Sequence, residues 1–419
     1  MKKAISILWV SALAPYNAVK HAGGKTHNYY TKSFGNDQRF DVTLVTWCEK
    51  SEEEIIQREF SEVGIKTRII LYPYLPLNKV FWKFVNVETR LNPFNRYAGY
   101  TTNSMAIRTL RELKKIKESG YHPDVIFLHW THINLLSDKI VELFPESKII
   151  EMEVDVAYQG YHRHIELADT FFSKKLWEGR YRKIKKIELQ NLMNSDGVIV
   201  NNKKDERLLI NEGIDKPIFV WSPFFQSMLN VQRNYSLDNR DIIFYGAMDR
   251  EENWKSALWF IDNVLPALKN VRFIIIGNRP PEILKSRESD VIKVLGFVQD
   301  ITPYFSQSLC LVAPLVLGAG IKVKILEGLS SGIPVLTNQI GIEGIPAERD
   351  SEYFHCESAE NYIERINELI NNVEILHDIE QKEKEFINMN YNIAEDAKNL
   401  HEYILKIAQT SNVEVKENK

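Results

Sequence analysis

Lys324 and Glu327 are the residues whose types and spacing most suggest chemistry. They stand three apart in LVAPLVLGAGIKVKILEGLSSGIPVLTNQIGIE, residues 311–343, just after Gly318 and Gly320. On a helix that spacing puts both side chains on one face, about 4.5 Å apart along the axis. A glycine-rich loop feeding a helix N-terminus presents backbone N–H groups at the positive end of the helix dipole, which suits an anion such as a diphosphate. Lys324, nearer that end, fits phosphate; Glu327 fits ribose hydroxyls. The competing reading is a solvated lysine and glutamate on an ordinary helix.

The elements that must position this pair are legible around it. The apolar run ending at Pro314 predicts a buried strand, and the glycines free the backbone for a tight loop. Ile321, Ile325, Leu326 and Leu329 have helical spacing, so the helix is expected from Ile321. Gly332 followed by Pro334 stops it and opens another strand, completing a βαβ unit. A similar arrangement begins the chain. The apolar run from Ile5 to Ser11 precedes APYNAVKHAGGKTHNYYTKSF, with Gly23 and Gly24 ahead of a polar-aromatic helix. This is again strand, glycine loop, helix, a phosphate-approach geometry or a plain βα turn. GGKT also ends like a Walker A loop, but Val19 occupies the place of its first glycine, which excludes a P-loop.

The stretch PLVLGAGIKVKILEGLSSGIPVLTNQIGIEG resembles the nucleotide-sugar-binding signature of the family 4 glycosyltransferases of GT-B fold, and the resemblance runs through most of the C-terminal half. It implies that Glu327 holds the donor ribose and that Gly320, Ile321, Lys322 and Lys324 surround its diphosphate. Many members carry a second glutamate eight positions before the first; here that position is Ala319. Members also often place an Arg and a Lys in the loop after the first strand of the second domain. Here Ala247 and Asn253 stand there, beside Gly246, and Lys322 and Lys324 supply the missing charge. The same resemblance puts Gly23 and Gly24 at the donor diphosphate, Gly277 at a strand end, and Phe297 and Val298 in the base pocket.

In HPDVIFLHWTHINLL a strand emerges at His129, with His132 three residues on. A histidine at a strand's C-terminal end in an open α/β sheet stands where ligands bind. Asp124 and His129 match the family's aspartate, strand, histidine pattern, which gives His129 a catalytic, positioning role and leaves His132 and Asp155 as weaker acceptor-side candidates. A metal on His129 and His132 lacks a third ligand nearby. No Asp-x-Asp occurs, and the resemblance implies metal-independent transfer with protein cations and helix dipoles on the diphosphate. No cofactor is expected.

At 419 residues the chain is too long for one comfortable core. Polar, proline-bearing sequence from Gly213 to Asn239 suggests domains at 1–215 and 216–390, with a final helix in 391–419 that crosses back to the first domain and then frays. Hydrophobic residues at 44% and charged residues at 26% describe an ordinary globular protein. A net charge of −3 gives no field for nucleic acid. Cys48, Cys310 and Cys356 lie far apart without metal spacing, which suits a reducing cytosol. MKKAISILWVSALA has the outline of a secretory signal, but its apolar run is short and is needed as the strand before Gly23.

Two stretches suit an interface as well as a core or solvated face. Residues 72–100 are rich in aromatics and prolines. Residues 174–186 carry seven Lys or Arg against the single Glu178, a composition that fits an anionic membrane surface.

The expected architecture is α/β, a GT-B fold of two Rossmann-like doubly wound parallel-sheet domains facing across a cleft. The expected function is retaining transfer of a sugar from a nucleotide diphosphate sugar to a hydroxyl of a glycan or lipid-linked glycan. The setting would be bacterial surface polysaccharide or glycoconjugate assembly, in the cytoplasm or peripherally at the inner face of the membrane. A non-catalytic GT-B-like partner that binds glycan or a sister transferase is the alternative. An NAD enzyme is disfavoured because no G-x-G-x-x-G follows a strand.

Overall fold

The computed structural model describes residues 3–19, 22–72, 97, 99–154, 156–166, 168, 170–235, 240–318 and 320–410. It divides into two compact units, 1–222 with 394–419, and 223–393.

The first unit runs β1 (Ile5–Ser11), α1 (Ala22–Gly35), β2 (Phe40–Cys48), α2 (Glu53–Ser61), β3 (Lys66–Leu71), α3 (Asn103–Glu118), β4 (Val125–His129), α4 (Thr131–Asn134), α5 (Ser137–Leu143), β5 (Lys148–Glu153), α6 (Ala157–Glu166), α7 (Phe171–Asn194), β6 (Gly197–Val200), α8 (Lys203–Asn211) and β7 (Ile218–Val220). Its strands form a parallel sheet in the order β3-β2-β1-β4-β5-β6-β7. Strands covered by helices on both faces need apolar residues at every position, and β1 and β4 are buried almost throughout. The apolar start of the chain is thus a central strand, with Trp9 stacked on Phe127 at 4.1 Å.

The second unit runs β8 (Asp241–Tyr245), α9 (Glu251–Asn263), β9 (Arg272–Ile276), α10 (Glu282–Lys285), β10 (Ile292–Gly296), α11 (Thr302–Gln307), β11 (Cys310–Ala313), α12 (Val323–Ser331), β12 (Val335–Thr337), β13 (Phe354–His355), α13 (Ala359–Asn371) and α14 (Val373–Asn390). Its order, β10-β9-β8-β11-β12-β13, is again parallel. Counted within the unit this is 3-2-1-4-5-6, the doubly wound arrangement.

The last helix, α15 (Ile393–Gln409), packs on the first unit. It buries Leu400, Ile404 and Ile407, His401 Nδ1 lies 3.0 Å from Asp37 Oδ2, and the Tyr403 hydroxyl donates to the Pro217 carbonyl at 2.8 Å.

Three expectations shift. The first unit extends to Ser222 rather than 215, because Ile218–Val220 pairs in parallel with β6 and belongs to its sheet. The helix after Gly320 starts at Val323, two residues later than the apolar spacing suggests. Gly320 takes φ +68 and Lys322 is still extended, so Ile321 lies in the loop with its side chain against the core. Gly23 and Gly24 sit inside the first turn of α1 rather than in a loop before it. Residues 73–96, 98 and 411–419 lie outside the described residues, and the reading of 72–100 goes with most of them.

Candidate functional site

In a doubly wound sheet the crevice for a ligand opens where the strand order reverses, at the C-terminal ends of the two strands on either side. In the second unit those strands are β8 and β11. Gly246 follows the first and the loop into α12 follows the second, so the fold brings together residues more than seventy positions apart.

Their packing is tight. The Lys324 Nζ donates to Asn253 Oδ1 at 2.5 Å, and the Asn253 Nδ2 donates to the Ala247 carbonyl at 2.8 Å. The ammonium also lies 4.6 Å from the centroid of the Phe244 ring. A Cβ on Gly246 would stand 2.8 Å from Nζ, so any side chain there would displace the ammonium. Among the described residues no carboxylate lies within ion-pairing distance of Nζ. Burial pushes Lys324 down to about 7, with Lys322 and Arg250 adding to the shift and Glu252 opposing it.

A partly buried cation without an ion-pair partner is costly unless an anion completes it. At the head of α12 no side chain caps the helix. The Ile325 N–H donates to the Lys322 carbonyl at 2.8 Å, and the amides before it have no acceptor within the helix and point the same way as the dipole. Glu327, one turn on, is buried at 7% exposure.

Lys322 plays a different part. It donates to the Gly320 carbonyl and lies 3.7 Å from Glu343, so a carboxylate already balances part of its charge. Gly277 acts through the backbone: its Cβ would stand 1.7 Å from the Gly246 carbonyl oxygen, and its N–H donates to the Gly296 carbonyl at 2.7 Å. It lets the ends of β8 and β9 touch. Of the base-pocket pair, Val298 packs against the core, whereas Phe297 is 75% exposed beyond β10. Ala319 lies outside the described residues, as does Asp155.

The first unit repeats the logic at β1 and β4. His129, at the end of β4, is 1% exposed, and its Nδ1 accepts from Trp9 Nε1 at 3.4 Å, which leaves the proton on Nε2. Burial pushes it down to about 3, so it is a neutral donor. His27 packs edge-on against it at 4.0 Å and Trp130 stacks on it at 5.5 Å. Trp130 holds φ +83, a backbone conformation strained for any residue with a side chain. A Cβ on Gly23 would stand 2.7 Å from the Trp130 ring, which explains the glycine. The His132 ring lies tilted against Tyr100 at 4.6 Å, and burial pushes it down to about 4.

Sequence reasoning missed Trp130, His27 and a buried acid pair at the end of β5. Glu153 accepts from Thr131 Oγ1 at 2.7 Å and Asn134 Nδ2 at 2.9 Å, and Glu188 accepts from the amides of Ala157 and Tyr158. Burial pushes Glu153 up to about 7 and Glu188 well above the usual range, so both carboxyls are biased toward the neutral form. The only signal in the sequence was glutamate in an apolar strand. Among the described residues no group of three His, Cys, Asp or Glu could hold a metal ion, and no helix is long and apolar enough to cross a membrane.

Residues 239–372 match the model of the glycosyl transferases group 1 family. An uncharacterized 44.6 kDa protein in the cps region of Klebsiella pneumoniae is 22% identical over 232 residues, a match covering 49% of this chain and 58% of that protein. Three solved structures show the same fold. Sucrose-phosphate synthase from Thermosynechococcus elongatus has a TM-score of 0.69 at 12% identity, covering 96% of this chain and 99% of its own. TarM has 0.65 at 13%, covering 98% and 99%. Anabaena HepE, in complex with UDP and glucose, has 0.63 at 11%, covering 96% and 100%. Two doubly wound parallel sheets and this domain match lead to one conclusion: the chain has the GT-B fold, and its residues 239–372 form a glycosyl transferases group 1 domain.

Proposed function

We propose that this chain transfers a sugar from a nucleotide diphosphate sugar to a hydroxyl of a glycan or lipid-linked glycan, with retention and without a metal. The observation that carries the reading is the partly buried Lys324 ammonium beside the uncapped start of α12, with no carboxylate among the described residues within ion-pairing distance and only the more distant Glu252 favouring its charge. A diphosphate supplies that missing charge. As the sugar leaves, negative charge grows on the diphosphate, and a fixed ammonium and helix amides meet it where it develops. Glu327 accepts from the ribose hydroxyls, and the Nε2–H of His129 orients the reacting sugar or the acceptor hydroxyl. HepE is seen with UDP and with UDP-glucose, which supports a uridine diphosphate donor, and the relative in a cps region supports a role in surface polysaccharide assembly, which we place at the inner face of the membrane.

A thermal-shift panel of UDP, GDP, ADP and CMP tests the site. A ligand at ~100 times its dissociation constant stabilises by about 2.7 kcal/mol. One nucleoside diphosphate, UDP first, is expected to do so for the wild type, with most of the shift lost in Glu327→Ala. Equal shifts in both proteins would sink the assignment.

A further inference from the structure

The basic run 174–186 is not a uniformly solvated face. Arg180 is turned inward, with its guanidinium 5.1 Å over the Trp177 ring, and Lys185 is tied to Glu212 at 2.6 Å. What α7 does present outward begins just before the run. Phe171 is 69% exposed and Phe172 85%, with Leu176 at 36% on the following turn. At 100° per residue these three share a face with Lys175, Arg182 and Lys186. From Phe171 to Lys186 every exposed charged residue is basic, and Glu178, the one carboxylate of that stretch, is half-buried at the edge of the face and held by Lys175 at 3.1 Å.

The apolar end is also firmly built. Thr170 caps α7 by accepting from the Ser173 amide at 3.2 Å, so both phenylalanines stand on an ordered first turn. Behind them α6 packs along α7, with the His164 ring stacked on Trp177 at 4.4 Å. The opposite side of α7 buries Ile184, Glu188 and Leu192 in the unit.

Resting on the proposed function at the inner face of the membrane, we infer that the outer face of α7 is a docking surface for an anionic lipid bilayer, with Phe171 and Phe172 entering the interface and Lys175, Arg182 and Lys186 meeting the headgroups. Aromatic rings at one end of a cationic stripe match the depth profile of such a surface, apolar within and negative outside. A protein partner fits less well, since lysines and unpaired charge are depleted at the centre of protein interfaces.

The test is co-sedimentation of the full chain with phosphatidylcholine vesicles with and without phosphatidylglycerol, alongside the UDP thermal shift and light scattering. The wild type is expected to bind only the anionic vesicles and to release as salt rises. Phe171→Ser with Phe172→Ser, and separately Lys175→Glu with Arg182→Glu and Lys186→Glu, are expected to weaken that binding roughly tenfold or more. Both variants should keep the wild-type melting temperature and nucleotide shift. Absence of binding, equal binding to both vesicle types, unchanged binding by the folded variants, or a variant that instead changes the solution mass would each overturn the inference. Loss of the nucleotide shift with vesicle binding intact would count against the donor site and leave the docking surface standing.

Discussion

An ammonium drawn between the amide oxygen of Asn253 and the ring of Phe244 is poised to lose its proton until an anion arrives. Its folded value of about 7 lies below the ~10.4 of an unfolded lysine. Between those values the unfolded chain binds the extra proton, so stability without ligand rises with pH from about 7 to about 10 and is lost as pH falls through 7. Lys324→Met should flatten that slope, stabilise the free protein by on the order of 1 kcal/mol, and weaken diphosphate binding by roughly 10- to 100-fold, as read by denaturation and calorimetry across pH. Wild-type binding should take up a proton above pH 7, visible as a dependence of the heat on buffer ionisation. At this scale the sequence was partly legible. Lys324, Glu327 and Gly246 could be picked out because local spacing and glycine carry their meaning. The bond from Lys324 to Asn253 could not, because only the reversal of strand order brings α9 and α12 together. Trp130 gave no signal either, since its strain is a backbone angle.

The elements were legible where burial sets the pattern. Continuous apolar runs marked β1, β4, β9 and β11, and Gly332 at φ +72 ends α12 where expected. Boundaries slipped where side chains override periodicity, as at Ile321 and Gly23. Gly277 shows why a glycine chosen as a ligand contact has a second duty. Gly277→Ala drives a methyl into the Gly246 carbonyl, and we expect a loss of about 3 kcal/mol or more from the second unit in urea unfolding, with or without nucleotide. The buried acids give a parallel case. Glu188→Ala strips the acceptors from the start of α6 and should cost about 1 to 3 kcal/mol in the first unit.

For the whole molecule, two units with separate cores, one hydrophobic cluster in the second and two in the first, predict two unfolding events. Nucleotide should raise only the transition of the second unit. Leu400→Ala, which opens a cavity beneath α15, should lower only that of the first, by about 2 to 5 kcal/mol. Scanning calorimetry reads both. The crossing back of the last helix was legible only through the family resemblance. Its amphipathic spacing says that it packs, and only tertiary contacts say that it packs on the opening half of the chain.

That connectivity bears on how the protein is made. The first unit needs both the opening 222 residues and α15, so 171 intervening residues, 223 to 393, leave the ribosome before its sheet can receive its final cover. The half encoded later is therefore the half finished first. Until α15 has been made, the hydrophobic seat of Leu400, Ile404 and Ile407 is left for chaperones, or for the wrong neighbour, to occupy.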